Sequence, residues 1–565
     1  MPQSPTPRPK RPWQEVAREA QEYRDATMKD YETSLPEPLK SNMPNSVMNI
    51  PGSLLGGDDL RITELLPEEL VSLLASGQLS SVAVTESFLR RAALAQKLAN
   101  CVTELLPERA LTRAKFLDDH YARYKKPIGP LHGLPISVKE HIGMDGLRVH
   151  CGYVSWWYKI GKEDAHVLEI LWNAGAVFHA RTTEPQSMMH LETDSNLYGV
   201  TVNPYNRDVT SGGSSGGEGA LIALRGSCLG IGSDVGGSIR NPAANNGIYG
   251  FKPTAFRIPT DGWGYAMAGA DTIDSVPGPL STSLSGIKLF MKAVLDARPW
   301  LTEPAIVPIS WDSNLALTDR QPLKVAVMWH DGVVKPHPPV TRALSSVVEK
   351  LRSLSNVTIV DWKPHLHDEA WAIISNLYYP DGGEEDAAAI DSSGEPWRPL
   401  TKWIIKENPC VKELTRGELN YWLEEREAYR KEYANAWTAT ATGGNSATGD
   451  LGGMVDIILC PVGPGVAPEH GTAKYWCYTS QWNLLNYPAV VFPVSKVDAG
   501  VDVKDGAYEP KRGVDRDNWD LYDPHKFDGL PISLQLVGRR YEDEKVLAIL
   551  EYIKEKIGLP FAKFP

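Results

Sequence analysis

From Ile62 onward the apolar positions of this chain fall into two alternating rhythms. Leu65–Ser76 and Ser81–Asn100 place them three and four residues apart, the spacing of one helix face, with Gly77 punctuating the gap. Ala165–Ala174 reads as a helix with Asp164 as its N-cap and Gly175 at its stop, and the apolar run Val177–Ala180 behind it reads as a strand. The pattern then gives a strand at Lys324–Met328, a helix at Thr341–Ser353 and a strand at Val357–Val360. Three more short apolar runs follow at Ile457–Cys460, Ala489–Val494 and Ile532–Val537, and a last helix at Glu542–Ile557 stops at Gly558. Such alternation predicts an α/β fold with a mostly parallel or mixed sheet.

Before Ile62 the rhythm is different. A charged helical stretch near Gln14–Tyr31 gives way to proline- and glycine-rich turns, so residues 1–60 read as a helical N-terminal arm and 61–565 as the main domain. Two stretches interrupt that domain: a low-complexity loop near 437–453 and an acidic surface excursion near 495–528.

Composition narrows the classes of function. A net charge of −12 argues against nucleic-acid binding, which needs Lys and Arg against phosphates, and against an electrostatic hold on an acidic membrane. No apolar run approaches the roughly 20 residues that span a bilayer. The start, MPQSPTPRPKRPW, has no apolar stretch behind its charges and does not read as a secretory signal. Six scattered cysteines with no C-x-x-C pair fit a reducing, cytoplasmic compartment.

The chemistry is concentrated in glycine-rich segments. TSGGSSGGEGA, residues 210–220, lacks the Lys of a phosphate-binding P-loop and carries Glu218 where phosphate would be repelled. Its Gly212–Gly216 portion matches G-x-S-x-G, but the preceding Asn203–Asp208 is turn-like where a nucleophile elbow needs a strand. Nor is it a plain linker, because it runs into the apolar Ala220–Leu224. Downstream, GSDVGGSIR places Gly236 and Gly237 beside Ser238. Converging N–H groups there would make an oxyanion hole next to a serine nucleophile, and the same residues also suit a tight turn capped by serine. Upstream, in GLPISVKE, Ile136 and Val138 alternate with Ser137 and Lys139 at the period of a strand. Buried on both faces, that strand would desolvate Lys139 and lower its pKa toward neutrality; at a sheet edge, Lys139 would be an ordinary exposed lysine.

Taken together, Lys139 in GLPISVKE, Ser214 in GGSSGGEGA and Ser238 in GSDVGGSIR resemble, in order and spacing, the Ser–cis-Ser–Lys triad of the amidase signature family. Asn203-Pro204, the Gly247–Thr254 segment, Gly278-Pro279-Leu280 and GLPISLQLVGR at 529–539 also match, and the chain looks most like the fungal acetamidases and, more distantly, the fatty acid amide hydrolases.

The resemblance implies the amidase signature fold, a large, mostly mixed or parallel twisted sheet covered by helices on both faces, and an amide hydrolase working through an acyl-enzyme. Ser238 is then the nucleophile, Ser214 a relay after a cis peptide bond from Gly213, and Lys139 the base. Val235, Gly236, Gly237 and Ser238 supply oxyanion donors. Ser215 supports the relay, Asp234 and Arg240 pair to hold the loop, and Met189, Leu191, Tyr478 and Trp482 line an acyl pocket. No metal or organic cofactor is expected, and the expected partner is a small-molecule amide. The acyl group, the leaving group and the oligomeric state, a homodimer included, are left open. Carbamate or ester hydrolysis, fatty-acid amide hydrolysis, an amidotransferase subunit and a silent binding protein are the alternatives. His365-Leu366-His367-Asp368-Glu369 reads as a surface turn rather than a metal site, and Arg416–Trp437 as a solvated helix with an aromatic inner face.

Overall fold

The computed structural model describes residues 11–443, 452–511 and 513–564. The proline-rich start up to residue 10 and positions 444–451 of the low-complexity loop lie outside the described residues. The strands in chain order are β1 (Val102–Leu105), β2 (Pro135–Lys139), β3 (Val177–Thr182), β4 (Asp194–Ser195), β5 (Gly199–Val200), β6 (Leu229–Asp234), β7 (Tyr249–Lys252), β8 (Val276–Ser281), β9 (Leu323–Val327), β10 (Val357–Asp361), β11 (Ile457–Pro461), β12 (Ala489–Lys496) and β13 (Pro531–Val537). Strands β4 and β5 form a small hairpin; the rest make one mixed 11-stranded sheet in the order β1-β3-β2-β6-β8-β7-β12-β13-β11-β9-β10.

Strand periodicity shows that both faces of this sheet are buried. In β11, Ile457 and Leu459 join one apolar core and the intervening Ile458 and Cys460 join the other. The first core packs under helices Leu284–Asp296, Pro338–Arg352 and Asp543–Ile557. The second packs under His367–Tyr378, Arg416–Thr438 and Cys477–Leu484. Helices on both faces of a mixed sheet are the expected class. The aromatic inner face of the long charged helix is also as expected: Tyr429, Tyr433 and Trp437 are its buried residues.

Three local expectations change. The helix after residue 164 spans His166–Asn173 and is capped by Ala165, not Asp164. The Asp164 carboxylate instead receives Arg109 and the Asp145 N–H, a better use of its charge than a single capping bond. The acidic 495–528 excursion has structure of its own. It contains a helix, Val514–Asp520, and buries Asp502, Asp515, Trp519 and Tyr522. Arg342 clamps Asp502 with two bonds of 2.6 and 2.7 Å, tying the segment to the Pro338–Arg352 helix. His367 is no surface turn residue either: it opens a helix and is buried.

The helix Trp13–Met28 lies against the β1 edge, where Tyr23 Oη donates to Glu104 at 2.6 Å. No helix among the described residues is long and apolar enough to cross a membrane.

Candidate active site

Strand β2 runs parallel between β3 and β6, so neither of its edges is free and both of its faces are covered. Lys139, its last residue, is fully buried. With no carboxylate in direct contact, burial pulls its ammonium down to about 8, against the opposing pull of Glu184 and Asp234 at longer range. Its Nζ has two hydroxyl partners, Ser214 Oγ at 2.6 Å and Ser233 Oγ at 3.0 Å.

Ser214 ends the glycine-rich turn that starts helix Gly216–Ala223, and the Gly213–Ser214 peptide bond is cis. A Cβ at Gly213 would press within 2.5 Å of the Glu192 N and His190 O, so only glycine fits that position. Ser215 points elsewhere: its Oγ lies 3.4 Å from both the N and the O of Ser233, and its N–H donates to the Ser238 carbonyl at 3.2 Å.

Ser238 sits in the loop after β6. Asp234, at the end of that strand, organises the loop. Its carboxylate accepts the N–H groups of Gly237 at 2.9 Å and Ile239 at 3.1 Å, and it receives Arg240 on both oxygens at 2.9 and 3.0 Å. Burial opposes its charge, but the Arg240 guanidinium holds the carboxyl well below its usual range. Arg240 also donates to the Thr479 carbonyl and to Asn483 Oδ1. The Gly237 N–H is therefore committed to Asp234, whereas no acceptor among the described residues takes the N–H of Val235, Gly236 or Ser238.

A cavity of about 320 Å³ opens onto this loop. Ser214, Ser233, Val235, Ser238 and His141 line its inner end; Met188, Met189, Trp263, Ile273 and Tyr378 line its apolar wall. Of the four pocket residues expected from sequence, only Met189 lines it. Leu191 faces a separate small cavity. Tyr478 is buried with its hydroxyl on the Val334 carbonyl at 2.6 Å, and Trp482 stacks edge-on against Tyr433. The helix Cys477–Leu484 turns a different face to the loop: Thr479 donates to the Gly236 carbonyl at 2.7 Å, and Asn483 to Asp234 at 2.9 Å. These two share a face at i, i+4, one position on from the pair expected.

Three polar residues around Lys139 were not singled out as site residues from sequence. Two are Ser233, bonded to Lys139, and His141, bonded to Ser233. The third, Glu218, is fully buried beneath the β2 strand and accepts Ser137 at 2.6 Å and Thr182 at 2.8 Å, and burial pushes its carboxyl up to about 8. The period-2 alternation of β2, which puts Ser137 and Lys139 on one face, was the signal that polar partners must lie over that face.

One group among the described residues, Glu140, His150 and Glu184, brings metal-capable atoms within 4.8 Å of one another. Glu140 and His150 already have protein partners. Glu140 accepts the N–H groups of His150 and Cys151, His150 Nδ1 accepts the Gly152 N–H, and Arg181 supplies a cation beside Glu140. The cluster reads as a charge-balanced brace under Lys139.

The family described as Amidase matches residues 83–547. A Schizosaccharomyces pombe relative that carries an amidase name is 42% identical, over 96% of this chain and 98% of its own. The acetamidase of Emericella nidulans is 37% identical, over 91% and 93%. Among solved structures, a fatty acid amide hydrolase superimposes with a TM-score of 0.90 at 33% identity, covering 97% of this chain and 96% of that one.

Proposed function

The chain belongs to the amidase signature family of hydrolases that act on amides, and from that premise we propose that it cleaves a carboxylic acid amide through an acyl-enzyme on Ser238. The observation that carries the reading is the buried Lys139, pulled down to about 8 and 2.6 Å from a serine that shares a cavity with Ser238. A lysine that deprotonates near neutral pH is a competent base, and burial is the means by which a protein makes one.

Ser238 Oγ attacks the amide carbonyl and gives its proton to Ser214 Oγ, whose own proton passes to neutral Lys139. The carbonyl π pair moves onto oxygen, where the uncommitted N–H groups of Val235, Gly236 and Ser238 stabilise it. The tetrahedral intermediate collapses as the nitrogen leaves, taking a proton back along the same serines. Water then repeats the sequence on the ester and releases the acid. The Asp234–Arg240 pair holds the loop without touching the reacting atoms.

The cavity is larger than an acetyl group needs, and its wall of Met, Trp, Ile and Tyr side chains suits an apolar or aromatic acyl group. Ammonia release from acetamide, benzamide and oleamide, with Ser238→Ala alongside, tests the reading. Turnover of at least one amide that disappears in Ser238→Ala is expected; a folded Ser238→Ala protein with full turnover would overturn it.

A further inference from the structure

Lys139 has two hydroxyl neighbours, and only one of them is useful as a proton source. If Ser233 donated to the amine, it would occupy the lone pair that has to receive the proton from Ser214. The structure contains a reason why it does not. His141 is buried beyond β2, and its Nδ1 lies 3.1 Å from the Gly264 carbonyl oxygen. A carbonyl only accepts, so Nδ1 carries the hydrogen. Burial and the neighbouring Lys139 keep the imidazole neutral, so Nε2 carries a lone pair. That lone pair faces Ser233 Oγ at 2.9 Å. Ser233 must therefore donate to His141, and toward Lys139, 3.0 Å away, it can only accept.

We infer that His141 is a positioning residue that acts through Ser233 to aim the Lys139 lone pair at Ser214. The chain of bonds runs one way: Ser214 O–H to Lys139 Nζ, Lys139 N–H to Ser233 Oγ, Ser233 O–H to His141 Nε2, and His141 Nδ1–H to the Gly264 carbonyl. Its direction is set at the far end, by a backbone oxygen that cannot donate. The Trp263 ring stands edge-on to the imidazole at 5.0 Å and fixes its plane. The charged groups near the chain are Lys139 and Arg181 facing His141, and Glu184, Asp234 and Glu218, with the Cys151 thiol, facing Lys139. Apart from Lys139 itself, none of them bonds to Ser233, so among the described residues no carboxylate competes with His141 for its hydroxyl proton.

This inference rests on the proposed roles of Lys139 and Ser214, and its test separates the two. His141→Asn keeps a donor for Gly264 but offers no acceptor to Ser233; His141→Gln places an amide oxygen where Nε2 was. In folded protein, His141→Asn is expected to lower kcat about tenfold with KM within about twofold, and His141→Gln to recover most of the loss. Ser233→Ala is expected to lower kcat about 10- to 100-fold and, by removing an acceptor for the ammonium, to move the acid limb of the kcat/KM profile to lower pH, while Ser233→Thr keeps both near wild type.

The decisive readout is the double-mutant cycle. Once Ser233 is alanine, adding His141→Asn should change kcat by less than about twofold, because the residue acts through a hydroxyl that is gone. Additive losses, a folded His141→Asn enzyme with wild-type kcat, or a folded Ser233→Ala enzyme with an unshifted limb would each overturn the inference. Should His141→Asn fail to fold, the Ser233→Ala and Ser233→Thr comparison still decides by its limb. Full turnover in Ser238→Ala would instead remove the parent reading.

Discussion

Two buried cations flank the nucleophile loop, and the protein treats them in opposite ways. Arg240 is locked to Asp234 by two bonds, with Thr479 and Asn483 taking two more of its donors. Lys139 is buried as deeply, yet its direct partners are two hydroxyls and no carboxylate. The first arrangement pairs a charge so that it can be buried permanently. The second leaves a charge unpaired so that it is readily given up. Structure and proposed chemistry therefore occupy adjacent sides of one loop, and the difference between them is testable.

The largest contrast is expected from deleting each cation in turn. Lys139→Met should lower kcat/KM by about 10²–10⁴-fold, since the base is gone. It should also make the fold more stable at pH 7. The folded lysine sits near 8 against an ordinary value of 10.5. The unfolded chain therefore binds the proton more tightly, and the wild-type penalty is complete below pH 8 and relieved as pH rises toward 10.5. The gain on removing it is roughly 2–3 kcal/mol at pH 7 once the lost hydroxyl bonds are allowed for, and should shrink at pH 10 in urea unfolding. A less stable Lys139→Met protein at pH 7 would show that the lysine is held as a paired charge after all.

Arg240→Met should do the reverse, costing about 3–5 kcal/mol because Asp234 is left buried and charged without its partner. Adding Asp234→Asn to it should recover part of that loss. Urea midpoints of the single and double variants measure both effects. Equal stability of the single variant and wild type would break the comparison at its structural side.

How far this contrast was readable beforehand depended on the kind of signal each residue leaves. Lys139, Ser214 and Ser238 lie in three glycine-flanked motifs whose order is distinctive, and the alternation of β2 announced a strand. The strands that carry the loop were missed. LGIGSD, YGFK and VPGPLS do not look like strands, because Gly and Pro dilute the β-branched pattern. The structure supplies the reason. At Gly230 a Cβ would collide with the Glu218 carboxylate, and at Gly232 it would come within 2.7 Å of Ser215 Oγ. The glycines make room for polar side chains buried over the sheet, a constraint between segments that no local pattern reports. Tyr478 and Trp482 lie away from the cavity for a related reason. Tyr478 and Trp482 were expected by likeness, while the face that helix Cys477–Leu484 turns to the loop, Thr479 and Asn483, is a matter of tertiary packing.

A pH profile sharpens the comparison with a smaller effect. If the base is Lys139, kcat/KM should rise with pH through one ionisation near 8 and then level off. The Asp234–Arg240 pair should add no limb of its own above about pH 4, because Arg240 keeps that carboxyl below the ordinary carboxylate range. The slope and midpoint of the acid limb, followed in wild type and Arg240→Lys, check both statements. A limb that moves with Arg240 rather than with Lys139 would place the titrating group on the wrong side of the loop.

The smallest effect is expected where the two sides meet the cavity. Tyr378 donates its hydroxyl to the Val235 carbonyl at 3.0 Å and lines the wall near Ser238. Val235 follows Asp234 directly, so this bond steadies the stretch between the permanent ion pair and the proposed oxyanion donors. It is one neutral hydrogen bond, worth about 1 kcal/mol net, and the loop keeps its Asp234, Thr479 and Asn483 anchors without it. Tyr378→Phe should therefore keep the fold within about 1 kcal/mol of wild type and lower kcat by less than about tenfold. The acid limb should stay in place, because the change does not reach Lys139. A drop in kcat as deep as that of Lys139→Met would mean that the loop is not held from the Arg240 side, and that the division between a fixed ion pair and a tunable amine is drawn in the wrong place.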